Sequence, residues 1–270
     1  MRPELRARAL VAVLTAALGG AALIGAFTVA GTESAPSATS DEEILVAAAS
    51  DLQFAFGELG RAFTEATGVD VRFTFGSSGQ LAQQIVNGAP YDLFASANVR
   101  YVDDVIAFGR GDAATKQTYA YGRIVIWSPK VRYRSLAALR DPRIRYIAIA
   151  NPEHAPYGLA AQQALRRARV YSAVRRKLVY GENIADTLRL VTSGNADVGI
   201  VALSLAVVAA GRYTEIPPRR YAPLEQALVV TSTGPRGTLA QRFARFVMSD
   251  AGRRVMRRYG FLFPGERLGT

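Results

Sequence analysis

From Ile44 onward the chain alternates short, continuous apolar runs with stretches of helical periodicity, and no other feature constrains the fold as much. Strands that are apolar on both faces need helices over both, so the pattern calls for βα units, an α/β class and mixed, mostly parallel sheets. The first strand is read at 44–49, and Leu52, Phe56, Leu59 and Phe63 then recur at helical spacing up to Gly68. Val69, Val71, Phe73 and Phe75 alternate as a second strand, and a helix from Ser77 through Leu81 and Ile85 stops at Asn87-Gly88. A third strand is read at 92–97, a third helix at 99–108, and extended segments at 118–121 and 123–127, broken by Gly122. A second set follows: strand 146–150, helices 159–169 and 184–191, strand 198–203; strand 227–231 and helices 239–248 and 251–259 close the chain.

The residues from 41 to 270 suit two α/β lobes better than one oversized core. Extended passages near 119–127 and 221–229 are the natural crossings between them, so the first lobe is expected from 41–122 with 225–270 and the second from 123–224. A ligand belongs in the cleft between the lobes, at the carboxyl ends of the strands.

Ahead of this region lie Arg2, Arg6 and Arg8, then a charge-free apolar run over 9–30. That is the n-region and h-region of an export signal, with an uncleaved signal anchor as the rival, since the run is long enough to span a bilayer. No Cys follows it, which excludes a lipid-anchored Cys, and 31–40 reads as a flexible linker. The protein is expected to be exported, and either periplasmic or tethered to the outer face of the cytoplasmic membrane.

Composition removes much chemistry. With no Cys and a single His, His154, the chain cannot build a thiolate nucleophile, a Cys-ligated zinc, an iron–sulfur cluster or a site of several imidazoles. The net charge of +11 favours anionic partners. The Arg groups, such as Arg253, Arg254, Arg257 and Arg258, read as solvated surface; without interleaved exposed aromatics, nucleic-acid binding is not expected. His154 has no partner residue in the sequence and reads as a surface-loop residue.

Chemistry points instead to the βα junctions. Ser50-Asp51-Leu52-Gln53 has the form of a capping box directly after the first strand. Phe75-Gly76-Ser77-Ser78-Gly79-Gln80 repeats the arrangement after the second, with Ser77 as N-cap, the hydroxyl of Ser78 free, and glycines that permit close backbone approach. Two helix starts carrying spare hydroxyl and N–H donors make an anion site from neutral groups, although each serine alone is better explained by capping. Residues 151–158, stiffened by Pro152 and Pro156, bring Tyr157 from the opposite lobe, as phenol, backbone N–H or plain core packing. Asn183 and Asp186 frame another helix start at which Ile184 supplies an amide. The glycines at 76 and 79 complete neither a nucleophile elbow nor a phosphate loop with its Lys.

Taken in order, Ala47-Ala48-Ala49-Ser50-Asp51-Leu52, Phe75-Gly76-Ser77-Ser78-Gly79, residues 87–97 and 151–158, Gly181-Glu182-Asn183 and Arg258-Tyr259-Gly260-Phe261 resemble the molybdate-binding proteins of bacterial ABC importers. The resemblance runs from about Ile44 to Phe261. It implies a type II periplasmic-binding fold that holds a dehydrated tetrahedral oxyanion, molybdate or tungstate, between its lobes and delivers it to an ABC permease of the inner membrane. It also implies a monomer with no cofactor and no catalytic activity, the only metal being that of the oxyanion. By position, Ser50 and Ser78 match the family's hydroxyl ligands, and Tyr157 and Ile184 match positions contributing chiefly backbone N–H groups. Asp51 is expected to point away or offer only its amide, with Ser77 as an accessory candidate. Many members carry a Tyr ligand after Gly-Ile-Val; here Gly199-Ile200-Val201 is followed by Ala202, and the Tyr157 phenol is the candidate replacement.

Independently of the resemblance, a pocket of donors without acceptors suits an unprotonated dianion and disfavours hydrogen phosphate, whose proton would go unpaired. Two rivals remain: the same fold carrying another small oxyanion such as sulfate, and an exported α/β hydrolase, which would need a Ser–His pair.

Overall fold

The computed structural model describes residues 42–266, so the export-signal or anchor reading for 1–30 and the linker at 31–40 lie outside the described residues. Among the described residues no helix is long and apolar enough to cross a membrane. The elements run β1 (Glu43–Ala49), α1 (Gln53–Thr67), β2 (Asp70–Gly76), α2 (Ser78–Val86), β3 (Leu93–Ser96), α3 (Val99–Ala107), β4 (Gln117–Gly122) and β5 (Ile124–Ser128). They continue with β6 (Ile147–Ala150), α4 (Pro156–Arg167), α5 (Tyr171–Val174), β7 (Leu178–Gly181), α6 (Ile184–Thr192), β8 (Val198–Ala202) and α7 (Leu203–Ala206). The last are β9 (Arg212–Glu215), β10 (Leu224–Val230), α8 (Gly234–Met248) and α9 (Asp250–Arg258).

The strands form two five-stranded sheets, ordered β2-β1-β3-β10-β4 and β7-β6-β8-β5-β9. β1 pairs in parallel with β2 and β3, whereas β10 runs antiparallel to β3 and β4. The second sheet repeats this: β6 is parallel to β7 and β8, and β5 is antiparallel to β8 and β9. Both sheets are therefore mixed, with parallel strands where helices cross over and antiparallel ones where the chain returns from the other sheet.

Local sequence explains most elements. α1 buries Ala55, Phe56, Leu59, Gly60 and Phe63 along one stripe, and Gly68 ends it at φ 75°, its amide donating to Thr64 O at 2.8 Å. Phe56 meets Phe243 of α8 edge-on at 6.0 Å and Tyr119 of β4 at 5.9 Å, and each such ring contributes about 1.5–3 kcal/mol by burial. α4 starts at Pro156, three residues before the sequence reading placed it, because proline suits the first helical turn, where no N–H is needed. This moves Tyr157 from a loop into a helix start.

One core cluster includes Val46, Phe56 and Tyr119 of the first sheet's layer and Trp127, Ile149 and Val201 of the second's; a smaller one, with Leu81, Phe94 and Val105, lies under α2 and α3. Between β4 and β5 only Arg123 intervenes. Its guanidinium donates twice to Gly260 O (3.0 and 2.9 Å) and once to Glu215 (3.0 Å), fastening the crossing.

Candidate functional site

Four chain starts meet where the two sheets face each other. Ser50 and Asp51 begin the 3-10 turn that leads into α1, Ser78 begins α2, Tyr157 lies in the first turn of α4 and Ile184 begins α6. All five line one cavity of about 10 Å³ together with Ser77 and Asn183. That is about the room one water molecule needs and far below the ~300–1,000 Å³ typical of organic ligands, so the cavity as it stands excludes an organic ligand. Among the described residues no Lys, Arg or His lines it, and Asp51 is its single carboxylate. A wider depression of about 600 Å³ beside β9, lined by Arg132, Arg212 and Glu215, has no such convergence of helix starts.

The serines do not cap. Neither Ala49 nor Ser77, the residues at the capping positions, makes a side-chain cap bond, which corrects both capping-box readings. Ser50 Oγ instead accepts from Ala185 N at 3.3 Å across the cleft, and Ser78 Oγ accepts from Ala97 N at 3.0 Å. With its acceptor role taken by a main-chain amide, each hydroxyl retains its own hydrogen to donate. Asn183 does cap, accepting from Ala185 N and Asp186 N at 3.0 Å each, which leaves Ile184 N, the first amide of α6, for the cleft.

Asp51 turns its carboxylate to two neutral donors. It is buried, and its Oδ2 accepts from Tyr157 Oη at 2.8 Å and from Gln226 Nε2 at 2.7 Å, while Oδ1 is buried with no partner. Burial pushes its carboxyl up to about 6, opposed by the hydrogen bonds from Gln226 and Tyr157 and, less, by its own backbone amide. The Tyr157 phenol is therefore spent on Asp51 and does not replace a missing ligand phenol, which corrects that part of the sequence reading. Burial, and next the charge of Asp51, hold Tyr157 well above the usual phenol range, so it remains a donor. Ala202 is buried at the end of β8, paired with Ile124, and is not among the lining residues.

His154, read from sequence as a surface residue, is half-buried and fastens the two sides. Its carbonyl accepts from Ser77 Oγ at 2.6 Å and Gly79 N at 3.0 Å, and its Nδ1 lies 2.9 Å from Ser77 Oγ. The Ser77 hydrogen goes to the carbonyl, so Nδ1 must donate for that contact to be a hydrogen bond. A ring nitrogen that donates to the hydroxyl cannot act as its base, so this Ser–His contact is not the pair a hydrolase needs. Gln226 and Ser204, which donates to Asp51 O at 2.8 Å, were also missed. Gln226 had a signal: an amide inside an apolar strand usually has a buried partner.

The family model for bacterial extracellular solute-binding proteins matches residues 44–262. The molybdate-binding protein ModA of Rhodobacter capsulatus is 32% identical over 222 residues, which are 82% of this chain and 88% of that protein. ModA of Azotobacter vinelandii is 33% identical over 226 residues, 81% of this chain and 89% of that protein. The solved structure of the Azotobacter vinelandii periplasmic molybdate-binding protein superposes with a TM-score of 0.76 at 30% identity, covering 82% of this chain and 99% of that one.

Proposed function

Since the chain belongs to the bacterial extracellular solute-binding proteins, we propose that it captures molybdate, or tungstate, outside the cytoplasm for an ABC importer. It does so by binding, without catalysis. The observation that carries this reading is the convergence of hydroxyls and helix-start amides on one small cavity with no cationic side chain. Neutral donors replace the water shell of a dianion, and the positive ends of helix dipoles supply the field. The relatives at 30–33% identity are molybdate-binding proteins, which favours molybdate over sulfate as the cargo.

The ligands are the hydroxyls of Ser50 and Ser78 and the amides of Tyr157 and Ile184, with Asp51 N and Ser77 at the margin. Ala202 has no place in the set, since it lies away from the cavity lining. The lobes are 41–122 with 225–270 and 123–224, a division supported by the membership of the two sheets. Hydrogen bonds from Ser77 and Gly79 to His154, and from Ala185 to Ser50, hold them together around the ligand. The closed pair is what an inner-membrane permease recognises. The protein works as a monomer, periplasmic or tethered to the membrane's outer face.

Thermal unfolding of the full chain tests the reading. Molybdate at about 100 times its Kd should stabilise the fold by about 2.7 kcal/mol, and equal sulfate should have little effect. Replacing Ser50 and Ser78 together by Ala should remove the molybdate shift while the ligand-free protein still folds. No molybdate shift in the wild type would reject the function, and a full shift in the double variant would reject the site.

A further inference from the structure

Asp51 is the one carboxylate lining a cleft meant for an anion, and its two oxygens differ. Oδ2 takes hydrogen bonds from Tyr157 and Gln226, while Oδ1 is fully buried without a donor or an acceptor. Among the described residues no cation offsets its charge. The side chains around it are Tyr157 of α4 and Gln226 of β10, with Tyr119 of β4 behind Gln226 and Ser204 of α7 on the Asp51 carbonyl, all of them neutral. The imidazole of His154 is engaged with Ser77.

Neither protonation state satisfies Oδ1 within the protein. Ionised, it is a buried charge with no donor; protonated, it is a buried hydroxyl with no acceptor. An oxyanion in the adjoining cavity resolves the second case and worsens the first, because its oxygens accept and its charge repels. Gln226 and Tyr157 already occupy Oδ2 with their hydrogens, so Oδ1 is the oxygen left to carry the proton.

We propose that Asp51 meets the dianion as a neutral carboxylic acid, its Oδ1 hydrogen directed at a ligand oxygen, so that each capture draws one proton from bulk water. The inference rests on the oxyanion-capture reading above. In the exchange an ionised Asp51, a dianion and one solvent proton give the complex; no covalent bond of the ligand changes. Without ligand the carboxyl titrates near 6, and the bound anion raises it further. The apparent Kd for molybdate should therefore be flat below that point and rise about tenfold per pH unit above it, until the bound form also ionises.

Calorimetric titration of the full chain with sodium molybdate, from about pH 6 to about pH 8.5 in buffers of different ionisation enthalpy, reads the proton directly. Proton uptake approaching one per molybdate near pH 7.5–8, with the Kd slope above, supports the proposal. Asp51→Asn, neutral at every pH and still able to donate, should show no buffer-dependent heat and a flat Kd, and should bind more tightly than the wild type at about pH 8. Molybdate binding by the wild type with no proton uptake and no pH slope overturns the inference and leaves the capture reading standing. No binding heat at any pH overturns the capture reading, and this inference with it. Because the wild-type proton count stands alone, the test survives a variant that fails to fold.

Discussion

Replacing Gly79 by Ala should weaken anion capture while leaving the ligand-free fold as stable or more so. A Cβ at this position would sit 2.7 Å from His154 O and 2.9 Å from Tyr101 Oη. The tyrosine can swing away, but the carbonyl belongs to the backbone of the opposite side and must retreat by roughly 0.5 Å or more to restore a normal contact. The same carbonyl accepts from Gly79 N at 3.0 Å and Ser77 Oγ at 2.6 Å, so that retreat stretches or breaks both bonds. Two hydrogen bonds at about 0.5–1.5 kcal/mol each amount to about 1–3 kcal/mol, or roughly 5- to 150-fold in Kd. Gly79 lies within α2, where alanine is favoured over glycine by about 1 kcal/mol, and with the lobes parted the new methyl meets nothing from the other side. Calorimetric Kd for molybdate, paired with urea unfolding of the ligand-free protein, separates the two effects. An unchanged Kd would refute the idea that the Gly79–His154 contact helps hold the lobes around the ligand, and so would a loss of ligand-free stability equal to the loss of affinity.

Two further outcomes follow from the buried acid. Gly122→Ala would place a Cβ 2.2 Å from Tyr157 Oη and 2.8 Å from Gln226 Nε2, so it should cost about 1–3 kcal/mol in urea unfolding by overpacking the network around Asp51. With Asp51 held near 6 in the folded chain against 3.8 ordinarily, the folded state binds the proton more tightly than the unfolded state. That stabilisation is complete below about pH 4 and is lost as pH rises through about 6, on the order of 3 kcal/mol in all. Asp51→Asn should abolish this segment and be the more stable protein at neutral pH; parallel urea profiles of the two proteins between about pH 4 and pH 7 would count against it.

The βα framework was legible because apolar spacing and glycine stops are local signals. β1, α1, β2, α2 and β3 fall within a few residues of where Ile44, Phe56, Gly68, Val71, Leu81 and Asn87 place them. β9, Arg212–Glu215, escaped notice because an edge strand carrying Arg and Glu has no apolar run to reveal it. β7 is short and partly exposed, and its Tyr180 faces solvent. At the cavity, Ser50, Ser78 and Ile184 were found from their positions at helix starts and Tyr157 from the proline-stiffened loop ahead of one, and the structure brings all four to one lining. What those side chains do was harder to read. Local pattern assigned Ser50 and Ser77 to capping, whereas their real partners, Ala185 and His154, lie 135 and 77 residues away. The bond from Gln226 to Asp51 spans 175 residues, and no spacing rule reaches that far.

The position of β10 in the first sheet has a topological consequence. It lies between β3 and β4, yet it begins at Leu224, long after β4 ends at Gly122. A polypeptide ending between residues 216 and 223 would leave β3 and β4 with bare facing edges and nothing to bridge them, although every strand of the second sheet would already be present. The amino-terminal half of the molecule thus depends for its completion on the last fifth of the chain, and its unpaired edges are the kind that seek other chains until that segment arrives.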